Sequence, residues 1–127
     1  MALPPFWQKQ PPVPPGLLRE LKQQEEQFRK HIMLQPMRKP VKFIAGCDSA
    51  FLGEQIVSVF VVFTYPDLQE IEMQWHASLV TLPYIPGFLA FREIPNLLLA
   101  YEKLNQKPDI TMVDGHGILH PRRMGIA

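Results

Sequence analysis

Residues 41–79, VKFIAGCDSAFLGEQIVSVFVVFTYPDLQEIEMQWHASL, decide the fold. Val41 to Ala45 is an apolar run that predicts a buried strand, ending where Gly46-Cys47-Asp48 opens the backbone. Phe51-Leu52-Gly53-Glu54 reads as a turn. Gln55 to Thr64 is rich in valine and phenylalanine, the composition of a central strand covered on both faces. Tyr65-Pro66-Asp67 carries turn residues. Then Ile71, Met73, Trp75, Ala77 and Leu79 alternate with Glu72, Gln74, His76 and Ser78, the period-two pattern of a strand with one wet face. Three strands with short connections form, most simply, an antiparallel meander.

Downstream of the meander, Leu82-Pro83-Tyr84-Ile85-Pro86-Gly87 interrupts regular structure. Phe88 to Arg92 reads as one helical turn. Pro95 suits the first turn of a further helix, Asn96 to Leu104, with Leu97, Leu98 and Tyr101 on its apolar side. After a loop over Asn105 to Asp109, Ile110 to Val113 is a short strand running into Asp114-Gly115-His116-Gly117. A helix between two strands favours a parallel pairing of this strand with the sheet. Upstream of the meander, Gly16 to Leu34 predicts an amphipathic helix with Leu17, Leu18, Leu21, Phe28 and Ile32 on one face. Its Glu25/Arg29 and Glu26/Lys30 pairs have the favourable i,i+4 orientation of a solvated face. Pro36 to Pro40 is a basic connector, and residues 1–15, with six prolines, read as an extended tail.

The totals bound the function classes. A chain of 127 residues makes one domain. Hydrophobic residues are 46% and charged residues 20%, a globular composition. The net charge of +1 does not advertise nucleic-acid binding, but arrangement counts for more than the sum. The lone Cys47 excludes an intrachain disulfide and a cysteine-based zinc site, and fits a reducing cytoplasm. The start of the sequence lacks the basic-then-apolar pattern of a signal peptide, and the longest apolar run, Val57 to Phe63, is too short to cross a bilayer, so no membrane partner is expected.

Asp48 and Asp114 each follow an apolar strand beside a glycine. If those strands are neighbours, both carboxylates emerge at one edge of the sheet, where α/β proteins place ligands. Two close carboxylates repel unless a cation joins them, and hard oxygen ligands suit magnesium, with manganese as the alternative ion. Glu93 is a third acid, in the otherwise apolar Phe91-Arg92-Glu93-Ile94. An acid there must be exposed, paired or coordinating, and the plain alternative for Glu93 is an ion pair with Arg92 or with a distant base. His116 and His120 have a zinc-like spacing, but Gly115, Gly117 and Pro121 argue against the helix that reading needs. His31 and His76 read as surface residues. Tyr84, framed by Pro83, Ile85, Pro86 and Gly87, is an aromatic on a stiff loop, the form of a wedge for a gap in a base stack. Arg122 and Arg123 are candidates for phosphate contact.

Three of these segments taken together, IAGCD at 44–48, VTLPYIPGFLAFRE at 80–93 and PDITMVDGHGILHPRRMGIA at 108–127, closely resemble the endonuclease V family in order and spacing. The resemblance runs from about residue 41 to the last residue. It implies a ribonuclease H-like α/β fold, with which the order βββαβ behind an N-terminal helix agrees. It also implies a magnesium-dependent DNA-repair endonuclease acting on DNA with deaminated bases. Such an enzyme hydrolyses a phosphodiester 3′ to deoxyinosine and, in some members, acts on inosine in RNA, leaving 3′-hydroxyl and 5′-phosphate ends. Residue by residue, Asp48, Glu93 and Asp114 match the family's catalytic, metal-binding acids. Tyr84 with its loop, Pro83 to Gly87, matches the nucleic-acid wedge, and His120 matches a histidine near the active site.

Family chains also carry further strands and helices, a lysine near the cleaved phosphate and another metal-site carboxylate or histidine beyond the equivalent of Ala127. Residues 16–127 are therefore expected to form a partial endonuclease V domain, with the fold incomplete at its C-terminal side. Two other expectations follow from that: a lesion-binding module without catalysis, or half of a split enzyme needing a complementary C-terminal chain.

Overall fold

The structure is a computed structural model, and it describes residues 13–80, 82–83, 85 and 88–127. The elements run α1 (Leu17–Arg29), β1 (Phe43–Leu52), β2 (Gln55–Thr64), β3 (Glu70–Leu79), α2 (Leu89–Glu102) and β4 (Ile110–Val113), with a 3-10 turn at Gly117–Leu119. The first three strands form the expected antiparallel meander and β4 joins β1 in parallel, giving the order β3-β2-β1-β4.

β1 is longer than the sequence suggested. It does not end at Gly46-Cys47-Asp48 but continues to Leu52, paired with β2 from Phe43↔Thr64 to Leu52↔Gln55. The turn shrinks to Gly53-Glu54, and Gly53 at φ 61° takes the left-handed first position of a two-residue hairpin, where glycine is free of strain. Cross-strand partners along β2 reward continuing the strand through a glycine that locally weakens it.

A second correction concerns α2. The separate turn at Phe88–Arg92 and second helix at Asn96–Leu104 are one helix, Leu89–Glu102, with Pro95 inside it. Pro95 denies the Phe91 carbonyl its usual partner. The buried stripe nevertheless runs through it without a break: Ala90, Glu93, Asn96, Leu97 and Ala100 all face inward. Packing of that stripe overrides the local propensity. Leu98, expected on the apolar side, is 54% exposed.

α2 covers one face of the sheet. Ala45, Phe60, Val62, Leu97, Ala100 and Leu104 form the core between them, with Tyr101 packed edge-on to Phe60 at 5.7 Å. Along β2 the buried residues are Ile56, Ser58, Phe60 and Val62; Val57, Val59, Val61 and Phe63 lie on the other face and are half-buried. The expectation of a central strand covered on both faces therefore holds on one face among the described residues.

In β3 the alternation is as predicted, but the polar set is the one turned toward α2. Ser78 donates to Asn96 Oδ1 at 2.6 Å, and Glu72 accepts the Asn105 and Gln106 backbone N–H groups at 2.8 and 2.9 Å. The apolar set lies exposed, with Met73 and Trp75 each 56% accessible. His76, read as a surface residue, is half-buried, its carbonyl accepting from Asn96 Nδ2 at 2.9 Å. The polar face is the inner one because Asn96 brings a polar partner to it.

α1 packs on the start of α2 through Leu21, Ile85 and Phe88, with Leu17, Leu82 and Phe91 around them. Glu25 is not on a solvated face with Arg29. It is 4% exposed and paired with Arg122 at 2.5 Å. Residues 1–12 of the proline-rich tail lie outside the described residues. No described helix is long and apolar enough to cross a membrane.

Candidate active site

β1 and β4 are bound in parallel register, Ile44↔Ile110 through Cys47↔Val113. Asp48 and Asp114 are each the next residue along, so the two acids stand side by side at the point where β4 stops. Asp48 is thus mid-strand, and it is the end of β4 that opens the site. Through the β1–β2 register Asp48 pairs with Val59, which places it on the face that α2 leaves uncovered. Its Oδ1 accepts the Ser49 N–H at 2.8 Å, and both aspartates are exposed.

Glu93 reaches the same edge from α2, with only 8% of its surface exposed. Burial, and after it the charge of Asp48, push its carboxyl above the usual carboxylate range; Asp114 adds to this and Arg92 opposes it. Glu93 therefore lies within the fields of both aspartates. Cys47 reports the same environment: burial, then Asp48, then Glu93 raise its thiol. The neighbour of Glu93, Arg92, sits with its guanidinium 4.4 Å from the centre of the Phe51 ring. Among the described residues, however, no three His, Cys, Asp or Glu side chains come close enough to hold one ion between them.

Beside Asp114 lies a groove of about 510 Å³ whose walls include Gly115, His116, His120 and Arg122. His120 Nδ1 accepts the Arg122 backbone N–H at 3.1 Å, which in the neutral ring leaves the proton on Nε2. The His116 and His120 rings meet edge to face at 6.2 Å across the 3-10 turn. Of the expected wedge loop, Ile85 is buried against α1 and Pro83 is half-buried, while Tyr84, Pro86 and Gly87 lie outside the described residues. Arg122, read as a phosphate contact, is engaged by Glu25 and lies 4.2 Å over the Phe88 ring.

Sequence reasoning did not single out Asn96, which is 2% exposed and sits one turn beyond Glu93. Its Nδ2 donates to Ser58 Oγ at 2.8 Å and to the His76 carbonyl, and its Oδ1 accepts from Ser78. Ser58 in turn shares a 2.6 Å hydrogen bond with Ser49, the neighbour of Asp48. This network ties the helix bearing Glu93 to β1, β2 and β3. The available signal was an amide in the otherwise apolar IPNLLLA at 94–100, which needs buried partners.

A meander extended by a parallel fourth strand, with acids at the β1/β4 junction and on the covering helix, defines a ribonuclease H-like fold. Residues 26–127 match the endonuclease V sequence profile, and the chain belongs to that family. It is 46% identical over 103 residues to endonuclease V of Dictyoglomus turgidum, a match covering 81% of this chain and 45% of that one. Its fold superposes on the catalytic domain of human endonuclease V with a TM-score of 0.82 at 28% identity, covering 90% of this chain and 53% of that one. A third relative is Ciona intestinalis endonuclease V, solved in complex with a 24mer DNA containing an inosine followed by a ribo-adenosine. The match has a TM-score of 0.76 at 28% identity and covers 86% of this chain and 50% of that one. The chain spans about half the length of the curated relatives it matches.

Proposed function

We propose that this chain carries the acidic site of an endonuclease V that hydrolyses a phosphodiester 3′ to deoxyinosine in DNA, with inosine in RNA as the related substrate. The observation that carries this reading is the β1/β4 register, which sets Asp48 beside Asp114 with Glu93 inside their field. The inosine-containing DNA held by the Ciona relative supports the choice of substrate.

The donor set is all oxygen, and its members repel one another, which a cation relieves. It fits magnesium, or manganese, held by one or two carboxylates that leave most of the ion's waters in place. Asp48 and Asp114 would hold the ion, with Glu93 as the third carboxylate. Such an ion supplies activation of water and stabilisation of the leaving oxygen. In the hydrolysis the water oxygen forms a new bond to phosphorus and the 3′ oxygen leaves with a proton, giving 3′-hydroxyl and 5′-phosphate ends. Tyr84, carried on the loop Pro83 to Gly87, is proposed to enter the base stack, and His120 to line the groove that receives the nucleic acid.

The test is a labelled duplex with one deoxyinosine, incubated with the purified chain in magnesium and then in EDTA, beside an inosine-free control. A magnesium-dependent nick near the inosine, lost in both Asp48→Ala and Asp114→Ala, is the expected result. Retained cleavage in both variants would overturn the metal assignment. Binding without cleavage would make the chain a lesion-binding module. Cleavage that arises only on adding a chain with the relatives' other half would make it one part of a two-chain enzyme.

A further inference from the structure

Glu25 lies on α1, far in sequence from the acids of the site, yet it is one of the most buried charged residues described, at 4% exposure. A carboxylate taken out of water needs a cation, and its partner is Arg122, 97 residues away, at 2.5 Å. Arg122 stands between α1 and the groove beside Asp114, and lines that groove. Its position has two further consequences. Its guanidinium lies 4.2 Å over Phe88, the residue that opens α2 and packs with Leu21 and Ile85. Its backbone N–H is the donor to His120 Nδ1.

We propose that Glu25 is a positioning residue for nucleic-acid binding: by anchoring Arg122 it fixes the His120 ring in the groove wall and braces the start of the helix that carries Glu93. This rests on the proposed function for the ligand, but not for the geometry. Glu25 touches no substrate. Its role is to hold the segment His120–Arg123 against α1, so that the groove is formed before nucleic acid arrives and less ordering is needed on binding.

The experiment uses the full chain and two readouts. The first is the 15N signature of the His120 imidazole without nucleic acid, which reports Nδ1 as acceptor and Nε2 as donor in the parent protein. The second is affinity for a deoxyinosine duplex. In Glu25→Ala the Nδ1 acceptor signature is expected to be lost or averaged, with affinity falling about tenfold. The swapped pair Glu25→Arg with Arg122→Glu is expected to recover the His120 signature, while the acid it sets in the groove keeps the affinity low. Glu26→Ala, one residue along α1 and exposed, is expected to change neither. Should Glu25→Ala fail to fold, Glu25→Gln keeps the shape and removes the charge, and the same losses in smaller measure are expected. An unchanged His120 signature in a folded Glu25 variant would overturn the proposal. A parent protein that shows the signature but prefers inosine no more than undamaged DNA would instead count against the proposed function.

Discussion

Glu93 and Asp109 are acids with opposite environments, and acid titration separates them. Asp109 Oδ2 accepts the Lys42 and Phe43 N–H groups at 2.8 and 3.0 Å, tying the approach of β4 to the start of β1. Those bonds hold its carboxyl below the usual range, so it contributes stability that is present above the unfolded carboxylate pKa and lost as pH falls through the lower folded value. The melting-temperature gap between the parent and Asp109→Ala is therefore expected to be full at neutral pH and to close in strong acid. A gap independent of pH would refute it. Glu93 has the reverse sign: its raised carboxyl makes the ionised form a cost in the folded state. Glu93→Gln is expected to melt higher than the parent in metal-free buffer at neutral pH while losing cleavage, and the advantage should vanish below the ordinary glutamate range. Glu93 was legible in the sequence because a carboxylate in apolar surroundings stands out, whereas Asp109 read only as the end of a loop. Glu25 and Asn96 were not identified: their partners lie 97 and 38 residues away, so even the amide that stands out in IPNLLLA does not say what it bonds to.

α2 shows where local signals lose to packing. The sequence placed a helix start at Pro95, the correct reading of proline in isolation. The buried stripe from Ala90 to Ala100 carries the helix through it. Pro95→Ala restores an N–H donor for the Phe91 carbonyl and is expected to stabilise the protein by about 1–2 kcal/mol, the gain from the helix exceeding the loss of unfolded-state rigidity. A denaturant midpoint that falls would show the proline is needed where it stands. Asn96→Ala is expected to cost about 2–4 kcal/mol, since it leaves the Ser58 and Ser78 hydroxyls and the His76 carbonyl short of a partner under the helix. β1 carries the same lesson: the glycine before an acid looked like a strand end, yet pairing with β2 carries the strand to Leu52. The meander, β4 and its parallel sense were legible because hydrophobic period and connection length are chain-local quantities.

For the whole molecule, the uneven treatment of the two sheet faces governs which substitutions matter. Phe60→Ala, under α2, is expected to cost about 3–5 kcal/mol. Met73→Thr, on the open face of β3, is expected to stay within about 0.5 kcal/mol, which a denaturant titration of both variants checks. Which face α2 would take was not readable from β3, because period two fixes the alternation and leaves the side open. The accessible side chains of Ile71, Met73, Trp75 and Leu79 also bear on the shape of the stability curve. Apolar surface already hydrated in the native state adds nothing to the heat capacity of unfolding, so the increment should fall below the usual ~12–15 cal/mol/K per residue. Calorimetry would then trace a flat dome, with stability changing slowly on both warming and cooling.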